Sequence, residues 1–136
     1  MKQYQFIEAY KALNRLSSQV LPIRTAYALH KLRRDISPAW EFQVNQEKAL
    51  IDKLGGLPQN GANGVIISFG NPDDPDAIER ANQYKSKMIE IAEMEINDVK
   101  FEPVHINMDD TIDISINEIE ALDGFVIFDE GPMVMI

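Results

Sequence analysis

The chain has 136 residues, 45% of them hydrophobic and none cysteine, enough to bury a core without a disulfide, and it offers no thiolate metal site or thiol nucleophile. Its formal net charge of -9 argues against general affinity for nucleic acid or anionic membranes, because phosphate binding needs a basic surface. No apolar run approaches the roughly 20 residues that cross a bilayer. Residues 1–10 mix polar and apolar side chains with no continuous apolar segment, so a signal peptide is not expected and the chain reads as a cytoplasmic protein.

Phe6, Tyr10, Leu13, Leu16 and Val20 recur at steps of three or four, which predicts an amphipathic helix over residues 3–21. Leu21 precedes Pro22, and the residue before proline leaves helical geometry while proline suits a first helical turn. A hinge is expected there. A second helix follows over residues 22–54, with Ala26, Leu29, Leu32, Ile36 and Trp40 on one face and Gly55 and Gly56 as its stop. So short a connection makes the pair an antiparallel helical hairpin. Pro38 removes a hydrogen bond and crowds the preceding turn, so a kink or break is expected near residues 35–38, with Ser37 available to cap a restarted helix.

Residues 55–76 turn to Gly, Pro, Asn and Asp around the apolar run Val65 to Phe69, predicting a loop with at most one short strand. Ile78, Ala81, Met88, Ile91 and Ala92 then restore helical spacing, and Asp73, Asp74 and Asp76 stand where a helix N-terminus favours negative charge. Val99 and Phe101, Val104 to Met108, and Ile112 to Ile116 alternate like short strands, with a bend at Glu102 and Pro103. Ser115 and Glu118 have capping-box spacing and predict a short helix from Ile116. The segment from Phe125 to Ile136 reads either as a strand or as a segment covered by a partner. The expected fold is α+β, with a helical hairpin at 1–54 and an acidic α+β module at 55–136 packed on it as one compact unit.

Charge is unevenly placed: residues 1–54 carry nine Lys/Arg against five Asp/Glu, and residues 55–136 carry four against seventeen. Such a contrast permits complementary contact between subunits, and a homodimer is the favoured oligomer. Lys11, Arg15, Arg24, Lys31, Arg33 and Arg34 form the basic concentration of the hairpin and are the candidate interaction surface. Its partner could be an acidic protein or, in a second reading, nucleic-acid phosphate. His30 and His105 lack metal-ligand spacing, the glycines fit neither the P-loop nor the dinucleotide pattern, and Asn71, Asp73, Asp74 and Asp76 lack the EF-hand spacing. No catalytic residue, cofactor or metal site is expected.

One resemblance adds a setting. Tyr10, Ala12, Leu13 and Leu16, then Leu21-Pro22, Tyr27, Lys31, Glu41 and Lys48, and later Phe101-Glu102-Pro103-Val104, Ile112, Ile114 and Ala121-Leu122 make up a pattern of side chains and spacing. On these residues the chain resembles a family of small uncharacterised proteins encoded by phages and prophages of Gram-positive bacteria. The resemblance implies a phage setting and no reaction; a phage or host protein partner in a bacterial host cell is the expectation drawn from that setting, with virion association left open. Pro38, residues 55–76 and the end of the chain after Gly131 depart from the family pattern.

Overall fold

The computed structural model describes residues 1–108 and 110–129. The fold is α+β, built in chain order from α1 (Gln3–Leu16), α2 (Ile23–Leu54), β1 (Leu57–Gly61), β2 (Gly64–Ser68), α3 (Pro75–Ala92), β3 (Val104–Asn107), α4 (Ile116–Ala121) and β4 (Val126–Asp129). The expected strands around Val99 and Ile112 do not form. Those residues pack as irregular chain against the core instead. The part of the predicted tail after Asp129 lies outside the described residues.

Two compact units divide the chain, Met1–Trp40 together with Glu95–Ile136, and Glu41–Met94. The division falls inside α2 and not at Gly55. The 32 residues of α2 are thus shared between the two units, those up to Trp40 belonging to the first and those from Glu41 to the second.

In the first unit α1 ends at Leu16, five residues short of the predicted stop, and Val20 is fully exposed. The Ser17 and Ser18 hydroxyls donate to the Asn14 and Arg15 carbonyls, giving the backbone the local alternative that serines offer at helix ends. Phe6, Leu13 and Leu16 are buried as the spacing predicts, and Leu29, Leu32 and Ile36 of α2 join them. Contacts between the two helices run antiparallel: Gln3 Nε2 donates to the Ala39 carbonyl at 2.7 Å, whereas Arg33 reaches Asn14 and Ser17 at the other end of α1. Tyr10 stacks on Trp40 with ring centroids 4.8 Å apart. Phe6 meets the edges of Phe101 and Phe125, which stack on each other, so an aromatic cluster closes the core.

Parallel pairing of β3 with β4, Val104 opposite Val126 and Asn107 opposite Asp129, adds a two-stranded sheet to this unit. Chain entry into β4 requires Gly124, whose φ of 83° lies in the region that side chains disfavour. The capping box of α4 is present in full, with the Glu118 amide donating to Ser115 Oγ and the Ser115 amide to Glu118 Oε1. Helix α2 continues through Pro38, so no second helix starts at Ser37.

In the second unit β1 and β2 form an antiparallel hairpin around Ala62 and Asn63. The single-strand expectation failed here because β1, Leu-Pro-Gln-Asn-Gly, has almost no strand propensity of its own and is ordered by its partner. Helix α3 starts as predicted, with Pro75 in its first turn and Asp74 Oδ1 accepting from the Asp76 amide at 3.0 Å. Arg80 binds this unit together: it donates to the Leu54 carbonyl at 3.0 Å and the Phe69 carbonyl at 2.7 Å, and pairs with Asp76 at 3.3 Å. It thereby satisfies a carbonyl that the end of α2 leaves open.

Candidate functional site

The six basic residues singled out from the sequence do not form one patch. Arg15 is committed inside the first unit, where it forms an ion pair with Glu118 of α4 and donates to the Asp113 carbonyl. This pair draws the Glu118 carboxyl down from its ordinary 4.5 to about 2, first through the Arg15 hydrogen bond, against a desolvation cost, and helped by Ser115. The same contact raises the Arg15 pKa. Arg33 is likewise held, 3.2 Å from Asn14 Oδ1 and 3.0 Å from Ser17 Oγ, and packs the end of α1 onto α2. Both side chains therefore also tie elements of the first unit together. Lys11 borders the shallow cleft beside Arg15 and Glu118.

Arg24, Lys31 and Arg34 remain exposed on α2. Helical spacing gathers them with Ile23 and Tyr27, since positions 23, 27, 31 and 34 are successive neighbours on one face and Lys31 lies two turns beyond Arg24. Ile23 is 85% exposed and Tyr27 69% exposed. The result is a ridge of aliphatic, aromatic and cationic side chains with its back to the core. Tyr27 and Ile23 were not picked out from the sequence as surface residues. The available signal was their phase, four and eight residues before Lys31 and opposite Leu29 and Leu32.

A second cluster gathers at the Asn107–Asp129 end of the β3–β4 sheet. His105 Nδ1 and Asp129 Oδ2 lie 2.9 Å apart, and Thr25 Oγ1 donates to Asp110 Oδ2 at 2.6 Å. Pro22, Ile23, Arg24 and Asn107 line this cleft together with Thr25, His105 and Asp110. An imidazole oriented by a carboxylate can carry a proton, but catalysis also needs a reacting group within its reach. The hydroxyl of Thr25 is engaged by Asp110. His105 and Asp129 are 24 residues apart, so only the parallel strand pairing brings them together. His30 lies on α2 beside Arg33, bordering a narrow groove with Ser17 and Gln19.

The acidic segment considered for a metal serves the start of α3. Asn71 Oδ1 accepts from the Asp73 amide, Asp74 caps the helix and Asp76 pairs with Arg80. In the second unit Tyr84 donates to Glu47 Oε1 at 2.8 Å, and burial together with that carboxylate pushes its phenol up to about 12. An apolar cavity of about 490 Å³ lies between the end of α2 and α3, with Leu50, Leu54 and Ile78 in its wall. The second unit also leaves Leu57, Val65 and Ile66 of its hairpin more than half exposed.

Comparison with protein-family models, with curated proteins and with solved structures finds no match to this chain. Among the described helices none is long and apolar enough to cross a membrane.

Proposed function

We propose that the protein is a non-enzymatic protein-binding or assembly module that works through oligomerisation and through docking of an acidic protein surface. The α2 ridge carries this reading. Tyr27 stands exposed beside Arg24, Lys31 and Arg34, and aromatic and arginine side chains are the residue types that dominate binding energy at protein interfaces. The exposed Ile23 and Tyr27 between the cations favour an acidic protein surface over bare phosphate, because they add apolar contact that a phosphate backbone does not fill. The phage or prophage setting rests on the residue pattern of the hairpin and of residues 101–122 alone.

The test pairs the wild type with a charge-reversed ridge, Arg24→Glu, Lys31→Glu and Arg34→Glu together. Each is used to capture partners from induced bacterial cells and then footprinted by amide exchange. A protein partner retained by the wild type, protecting residues 23–34 and lost on reversal, supports the reading. A partner indifferent to the reversal removes the ridge from it. Steeply salt-dependent DNA or RNA binding that vanishes on reversal replaces it with a nucleic-acid accessory role.

A further inference from the structure

We infer that β2 is a self-pairing edge through which two copies of this chain join their hairpins into one four-stranded antiparallel sheet. The inference rests on the reading of the protein as an assembly module and supplies its oligomeric contact. Three observations carry it.

The first is which edge is open. Gly61 and Gly64 face each other across a two-residue turn and form the closing pair of the ladder, and hydrogen-bonded and non-hydrogen-bonded pairs alternate outward from it. Asn60 with Val65 and Pro58 with Ile67 are therefore non-hydrogen-bonded pairs, whose backbone groups point away from the partner strand. On β1 the outward positions are Asn60 and Pro58, and Pro58 has no N–H, so a ladder built on that edge would lose a donor from each copy. On β2 the outward groups belong to Val65 and Ile67, and nothing in their chemistry blunts it. One edge weakened by proline and one edge with all its donors favour pairing through β2 about a two-fold axis over further growth through β1, which yields a closed dimer and not a filament.

The second is charge. Between Lys53 and Asp73 the chain has no charged residue, although 26% of the whole chain is charged. Like charges opposite each other destabilise strand pairs, and β2 presents none to its own copy. The third is burial. Val65 is 67% exposed and Ile66 56% exposed, and an exposed apolar strand with an open edge is a template for strand addition. A two-fold axis through Ile66 sets Val65 opposite Ile67 of the second copy, so that the outward backbone groups of both copies pair and the two Ile66 side chains meet.

Sedimentation of the full chain across micromolar concentrations, for the wild type, Val65→Lys and Gln59→Lys, tests this. The wild type should form a dimer, Val65→Lys should be a monomer with an unchanged circular dichroism spectrum, and Gln59→Lys, on the blunted strand, should remain a dimer. In the wild type the Val65 and Ile67 amides should exchange more slowly as concentration rises, a readout that needs no variant. A wild type that is monomeric throughout, a dimer that survives Val65→Lys, or polymers larger than a dimer would overturn the inference. Loss of this dimer with ridge-dependent partner capture intact would overturn the edge pairing and leave the docking reading standing.

Discussion

Ser37 donates its hydroxyl to the carbonyl of Arg34 at 2.8 Å, and this is the carbonyl that Pro38 leaves without a helical donor. In an α-helix the amide of residue 38 would bond the carbonyl of residue 34, and proline has no amide hydrogen. The preceding serine supplies the missing donor from its side chain. Helix α2 therefore continues where its sequence reads as broken.

Pro38→Ala should stabilise the protein by up to about 3 kcal/mol, the usual cost of an interior proline. Ser37→Ala should destabilise it by about 0.5–1.5 kcal/mol in the wild type, the net worth of one hydrogen bond. In the Pro38→Ala background the serine effect should shrink towards zero, because the new amide takes over the carbonyl. Urea denaturation of the four proteins measures the coupling, and an unchanged serine effect would refute the substitution of one donor for the other.

Leu13→Ala and Leu32→Ala should each cost about 2–5 kcal/mol, the range for a truncated buried leucine. Both side chains are only 1% exposed. Val20→Ala is the internal control: its side chain is fully exposed, and the change should stay within about 0.5 kcal/mol. Chemical denaturation of the three variants checks the assignment of the buried face.

The Glu118 carboxyl, lowered from 4.5 to about 2 by Arg15, makes a pH-dependent contribution to stability. A depressed carboxyl contributes fully above its unfolded pKa and loses the contribution as pH falls through the folded value. The window here is about pH 4.5 down to 2. Glu118→Gln should flatten the acid limb of the stability curve in that window and leave the slope above pH 6 unchanged, as thermal melts in a pH series would show. A limb as steep as that of the wild type would mean that other carboxylates dominate it.

Tyr84 works in the opposite direction at alkaline pH. Its phenol is raised to about 12 by burial and by Glu47, so its contribution is present below its ordinary pKa of 10.0 and is lost as pH rises through the folded value. Tyr84→Phe should remove the corresponding drop between about pH 10 and 12. Ultraviolet titration of the tyrosines should show one late-ionising phenol in the wild type that is missing in the variant.

Arg80→Met should cost about 1–3 kcal/mol, because it removes charge-assisted hydrogen bonds to two carbonyls while keeping most of the aliphatic stem. The loss should fall within Glu41–Met94. Amide exchange separates a local change, with acceleration around Leu54 and Phe69, from a global one.

The sequence by itself determined the elements whose signal is local. Periodic apolar residues placed α1, α2 and α3, Leu21-Pro22 placed the hinge, Gly55 and Gly56 ended α2, and Ser115 with Glu118 wrote the start of α4, because each of these signals acts within one or two helical turns. It also marked Leu13, Leu16, Leu29, Leu32 and Ile36 as core. Tertiary structure decided what depends on distant partners. Arg15 and Arg33 gain intramolecular partners that no local pattern announces, because Glu118 and Asn14 are brought to them by folding. β1 exists only because β2 pairs with it, and His105 meets Asp129 only because β3 lies parallel to β4. Long-range pairing leaves no period in the sequence, since the free energy that selects it is spread over residues whose spacing along the chain is arbitrary.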